Sequence, residues 1–116
     1  DAQEVILGDF APGYEYHGAI ESTIVNMPSV AAFVCCETLE HLDDPATVLD
    51  KIREKTSALI VSTPIEAWND TNPEHLWAWS KDDVDVMLTE AGFTVLAYDE
   101  LYPAPFFYRF GLWGCM

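Results

Sequence analysis

The chain has 116 residues, half of them hydrophobic and 13% aromatic, with 20 acidic against 5 basic side chains and a net charge of −15. That length holds at most one domain, and that much apolar material excludes a disordered chain. The acidity disfavours a nucleic-acid substrate, because such a surface repels phosphate unless cations or a partner intervene.

Glu4 to Phe10 reads as a short strand that ends at Gly8-Asp9, before an Ala11-Pro12-Gly13 turn. Tyr14 to Ile20 is a second short strand, and Met27-Pro28-Ser29 connects to a third. That third run, Val30 to Cys36, is long enough for one buried strand and too short for a helix. It stops at Glu37-Thr38-Leu39-Glu40-His41, and Asp44-Pro45 then opens a helix. Asp suits the N-cap, and Pro suits the first helical position because it has no amide to waste there.

This helix runs to about Lys55 with Ala46, Val48, Leu49 and Ile52 as its apolar stripe. The next strand, Ala58 to Ser62, is apolar along its length and is expected to be covered on both faces, with Thr63-Pro64 terminating it. Ile65 to Trp79 forms a long loop whose Trp68, Trp77 and Trp79 either wall an apolar or aromatic substrate pocket or pin the loop itself. Ser80 and Asp83 form a capping box for a helix marked by Val84, Met87 and Leu88, and Gly92 stops it. Phe93 to Tyr98 is a strand, and Phe106 to Trp113 is a last strand antiparallel to it.

The three cysteines fit neither a disulfide framework nor a zinc spacing. Cys35 and Cys36 are expected as reduced thiols, with the cytoplasm as the matching compartment. No apolar run reaches the ~20 residues that a membrane-spanning helix needs, so no membrane association is expected. The chemistry gathers after the third strand. If the turn there is helical, Glu37, Glu40 and His41 share one face, and His75 joins them from a loop at the same sheet edge. Two carboxylates and two imidazoles suit acid–base work or a divalent metal.

The run from Glu37 to Pro45 resembles the post-strand signature of class I S-adenosylmethionine-dependent methyltransferases. The resemblance continues through Leu59-Ile60-Val61-Ser62-Thr63-Pro64, Glu74-His75-Leu76-Trp77 and Glu90-Ala91-Gly92-Phe93, and covers Glu4 to about Tyr98. It implies a doubly wound α/β fold: a Rossmann-like, mostly parallel sheet with an antiparallel last strand. It also implies S-adenosylmethionine as cofactor. Asp9 matches the acid that binds the ribose, with Phe10 beside it, and the adenine falls to Glu21 or the Ile20 amide. Cys36 and Glu37 close the cofactor site.

Four positions depart from the family pattern. Ala19 and Ala31 replace its usual acids, and Lys55-Thr56-Ser57 stands in place of a Gly-Gly turn. The glycine-rich loop of the first strand is absent, since Gly8, Gly13 and Gly18 are too widely spaced. The family's first strand lies at the centre of its sheet. Without it, the flanking strands must pair directly or leave buried amides unpaired. The chain therefore reads as the C-terminal portion of a longer enzyme, with about 20–30 residues of strand and glycine loop upstream.

The activity implied is methyl transfer to a hydroxyl or amine of a small molecule, with His75 as the favoured base and His41 and Glu40 beside it. One alternative is a metal-dependent RNA 2′-O-methyltransferase-like enzyme, in which Glu37, Glu40, His41 and His75 would hold magnesium or manganese. Another is a non-catalytic binding or structural subunit that oligomerises through the aromatic segment Phe106 to Trp113.

Overall fold

The computed structural model describes residues 4–103 and 108–116. Two short strands, β1 (Gly8–Asp9) and β2 (Tyr16–His17), pair with each other, and α1 (Ile20–Thr23) follows, running into a 3-10 turn at Ile24–Asn26. β3 (Phe33–Cys36) leads through a 3-10 turn at Leu39–His41 to α2 (Pro45–Lys55). β4 (Leu59–Ile65), α3 (Lys81–Glu90), β5 (Val95–Leu101) and β6 (Arg109–Cys115) complete the chain.

Both long helices begin where local chemistry starts them. The Asp44 carboxylate accepts the Thr47 amide at 3.1 Å and the Thr47 hydroxyl at 2.6 Å, with Pro45 at the first helical position. Ser80 and Asp83 cap each other reciprocally at the start of α3. Gly92, at φ +94°, takes the left-handed turn after that helix, which a side chain would strain.

β3, β4, β6 and β5 form one sheet in that order. β3 and β4 are parallel, with Phe33 opposite Leu59 and Cys36 opposite Ser62, and β6 runs antiparallel between β4 and β5. This is the expected mostly parallel sheet with an antiparallel last strand. Cys35, Leu59, Val61, Ile65, Trp113 and Cys115 point to one face, where Val48, Leu49 and Ile52 of α2 and Val84 and Leu88 of α3 bury them in one core. The Trp113 indole donates to the Asp85 carboxylate at 2.7 Å, tying α3 to the sheet. Ile24 is fully buried in the same core and anchors the N-terminal segment, helped by the Val30 amide, which donates to the Lys55 carbonyl at 2.8 Å.

Several expectations change. β4 is covered on both faces from Val61 to Ile65, but not at its start: Ile60 is 45% exposed and Val34 beside it 62%. Nor does Thr63-Pro64 end the strand. The Glu37 amide donates to the Ser62 carbonyl, so residues 60, 62 and 64 turn their backbone polar groups toward β3. β3 stops opposite Ser62, and the donor that Pro64 lacks would have met no partner. Only Tyr16–His17 of the expected second strand is extended, because Gly18 turns at φ +128° and Ile20 already begins α1. In the first run only Gly8–Asp9 pairs.

β1 and β2 remain a ribbon separate from the larger sheet. β3 is a border strand whose Val34 and Cys36 are exposed, and the direct pairing with the first two strands is not made. The expected start of the last strand, Phe106, lies outside the described residues, and Trp113 is a core residue instead of an interface residue. Among the described residues no helix is long and apolar enough to cross a membrane.

The Trp113 ring folds back over Gly111, and a Cβ there would collide with it. Gly111→Ala is expected to cost about 1–3 kcal/mol of stability by urea denaturation, the usual cost of overpacking. A loss below about 0.5 kcal/mol would mean that the ring does not hold this position.

Candidate functional site

The parallel strands β3 and β4 end together, and the carboxyl edge of such a pair is where open α/β sheets hold ligands. Glu37, the first residue past β3, adopts φ +48°, a region that non-glycine residues seldom occupy. Two bonds to Ser62 hold it there: its amide donates to the Ser62 carbonyl at 2.9 Å, and its carboxylate accepts the Ser62 hydroxyl at 2.6 Å. The Leu39–His41 turn follows, with Leu39 fully buried as its anchor.

That turn brings Glu40 inside, where it is only 1% exposed. Its Oε2 accepts the Thr63 hydroxyl at 3.0 Å, and Thr63 Oγ1 in turn accepts the Trp79 indole N–H at 3.3 Å. Its backbone carbonyl accepts the Leu76 amide at 2.7 Å. Oε1 has no hydrogen-bond partner, and His41 Nε2 stands 3.7 Å away. Burial pushes the Glu40 carboxyl up to about 7; hydrogen bonds from its own amide and Thr63 oppose the shift, and the Glu37 charge adds to it. Burial also raises Glu37, against side-chain hydrogen bonding with Ser62 and Glu40 and the two imidazoles, which lower it.

Both imidazoles are oriented through Nδ1. His41 Nδ1 lies 2.9 Å from the Glu74 carbonyl, which can only accept, so Nδ1 donates there and Nε2 faces Glu40. His75 Nδ1 donates to the Asp70 carboxylate. Burial pushes the Asp70 carboxyl up, but the Asn72 amide and His75 outweigh it and hold the group below its ordinary value. The two rings meet edge to face with centroids 4.7 Å apart.

Asp70 is the residue that sequence reasoning missed. Its signal was the run Asn69-Asp70-Thr71-Asn72, a chain of side-chain-to-backbone turns: Asp70 caps Asn72 at 2.9 Å and Asn72 caps Glu74 at 3.0 Å.

Of the four residues expected to converge, three do. Ligand atoms of Glu40, His41 and His75 lie within 4.8 Å of one another. Glu37 turns to Ser62 instead, because the turn is 3-10 and starts only at Leu39, so no helical face from 37 to 41 forms. The residues expected at the cofactor divide between two places. Cys36 and Glu37 sit at the end of β3, with Cys36 exposed. Asp9 and Phe10 are exposed near the tip of the ribbon, where the Asp9 carboxylate accepts the Ala11 amide at 2.8 Å; Ile20 and Glu21 open α1. Among the described residues no hydrogen bond or ion pair joins one group to the other. Cys35, beside Cys36, is buried and its thiol is pushed up to about 12, which leaves it inert.

The long loop divides its tryptophans. Trp68 is 61% exposed, whereas Trp79 is buried and Trp77 donates its indole N–H to the Leu42 carbonyl at 2.7 Å. The latter two rings stack 6.2 Å apart at 11°.

No protein-family model and no curated protein sequence matches the chain. Solved structures do. Magnesium protoporphyrin IX methyltransferase from Synechocystis PCC 6803 with bound SAH matches with a TM-score of 0.61 and 12% identity, over 77% of this chain and 45% of that one. An S-adenosylmethionine-dependent methyltransferase from Aquifex aeolicus matches with a TM-score of 0.57 and 21% identity, over 77% of this chain and 48% of that one. The [4+2]-cyclase SpnF matches with a TM-score of 0.54 and 19% identity, over 64% and 31%. The chain thus has the Rossmann-like α/β fold of class I methyltransferases and spans about a third to a half of the structures it matches.

Glu40 yields a pH prediction. Its carboxyl titrates near 7 in the folded chain against an ordinary 4.5, so between those values the folded state holds the extra proton. Stability therefore falls as pH rises through this window, and the loss is complete above it. Glu40→Gln should flatten the fall, by up to about 3 kcal/mol in denaturation profiles. A profile parallel to the parent chain would assign the proton elsewhere.

Proposed function

We propose that the chain belongs to an enzyme that transfers a methyl group from S-adenosylmethionine to a hydroxyl or amine of a small molecule. One observation carries the reading: a fold shared with an SAH-bound methyltransferase presents a buried acid and two oriented imidazoles at the carboxyl edge of its parallel strands. The acceptor lone pair attacks the methyl carbon as the carbon–sulfur bond breaks; sulfur keeps the bonding pair, and the acceptor proton passes to a base.

His75 is that base. Its Nδ1 proton is committed to Asp70, which leaves Nε2 to accept. His41, held through the Glu74 carbonyl, and Glu40 line the same space. Asp9 keeps one carboxylate oxygen for the ribose after bonding Ala11, with Phe10 next to it, and Ile20 or Glu21 meets the adenine. Cys36 and Glu37 border the cofactor from the end of β3. The surplus of 20 acids over 5 basic residues favours a small acceptor over RNA, and the cytoplasm suits three unpaired thiols.

A second reading has its own observation. Glu40 Oε1 is buried without a partner, and together with one nitrogen each of His41 and His75 it fits a divalent cation such as magnesium or manganese. When bound, such an ion would polarise the acceptor oxygen, as an RNA 2′-O-methyltransferase-like enzyme requires.

Calorimetric titration with S-adenosylhomocysteine of the longest natural form of the chain should show micromolar binding, weakened by Asp9→Ala; no binding would favour a non-catalytic subunit. In the active enzyme His75→Gln should lower kcat about 100- to 10,000-fold with little change in cofactor affinity. Manganese titration separates the second reading, which requires saturable heat that Glu40→Ala removes.

A further inference from the structure

A cleft of about 460 Å³ opens between the segment after β3 and the long loop, on residues that the acid–imidazole cluster does not use. Trp77 and Trp79 form one wall, Pro45 and Met87 add apolar surface, and Asp43 and Asp44 complete the lining. Trp77 is stacked on Trp79 by one face and is still 46% exposed, which leaves its other face open. Both indole N–H groups are already spent, on the Leu42 carbonyl and the Thr63 hydroxyl. The cleft therefore offers π faces, a thioether and carboxylates, and among the described residues no lysine or arginine lines it.

Such a lining suits a cation and repels an anion. The N-terminus of α2 adds only about half a positive charge, against two carboxylates. The bonds to Thr47 hold the Asp44 carboxyl below its ordinary value, and Asp43 has no hydrogen-bond partner among the described residues, so its carboxylate is available to a ligand.

We propose that this cleft binds the alkylated ammonium group of a small organic cation. The inference rests on the methyl-transfer reading only in making that molecule the acceptor or its product; the binding itself needs no cofactor.

The test titrates choline into the longest natural form of the chain while following the Trp77 and Trp79 indole N–H resonances, with the Trp79 signal alone in variants at Trp77. The uncharged analogue of choline, with carbon in place of nitrogen, and S-adenosylhomocysteine are titrated in parallel. Choline should give a saturable shift, with the analogue about tenfold weaker. Trp77→Leu should weaken choline by a similar factor, and Asp43→Asn, an exposed change that cannot disturb the fold through a lost bond, by a few-fold. Equal affinity for the analogue, no saturable shift, or unchanged choline affinity in Asp43→Asn would each overturn the proposal. Choline binding without S-adenosylhomocysteine binding would retain this site and remove the methyl-transfer reading, and the reverse result would do the opposite.

Discussion

The buried carboxyl of Glu40 is the constraint that organises this end of the molecule. Three segments distant in sequence meet on this residue: the turn it belongs to, the end of β4 through Thr63 on the carboxylate, and the long loop through the Leu76 amide on its backbone carbonyl. A carboxylate this deep is costly as an anion, so near neutral pH it is held between acid and base. That cost is offset by order: Trp79 to Thr63 to Glu40 is one chain of hydrogen bonds, and it positions the loop that carries Asp70 and His75.

Much of the frame was legible from local chemistry alone. The caps of α2 and α3 are written in Asp44-Pro45 and in Ser80 and Asp83, because a helix end needs those groups wherever it is placed. What escaped reading depended on partners far along the chain. Pro64 looks like a strand end until one knows that β3 stops two residues earlier. Asp70 looks like loop punctuation until His75 is seen to donate to it. The site was half legible: Glu40, His41 and His75 converge, but Glu37 follows its own backbone angle toward Ser62.

The part of the sheet left open teaches a related lesson. An apolar strand tells that both of its sides tolerate burial, and not that both are buried along its whole length. Leu59 and Val61 face the helices, while Ile60 and Val34 face outward, in a chain that spans about half the length of the methyltransferases it matches. The second layer that a doubly wound fold places there is not formed by α2 or α3, which share the other side.

The two lateral borders of the sheet are unlike. β5 carries an irregularity between Val95 and Ala97, and exposed Asp99 and Glu100 crowd its rim, features that discourage any newcomer from joining. β3 is regular and uncharged, and with Thr38 covering the Cys36 carbonyl, its outward backbone reduces to Val34 and the Cys36 amide. Growth of this sheet is thereby directional: an incoming strand has one short, neutral seam to enter by, next to the acids and imidazoles that follow Cys36.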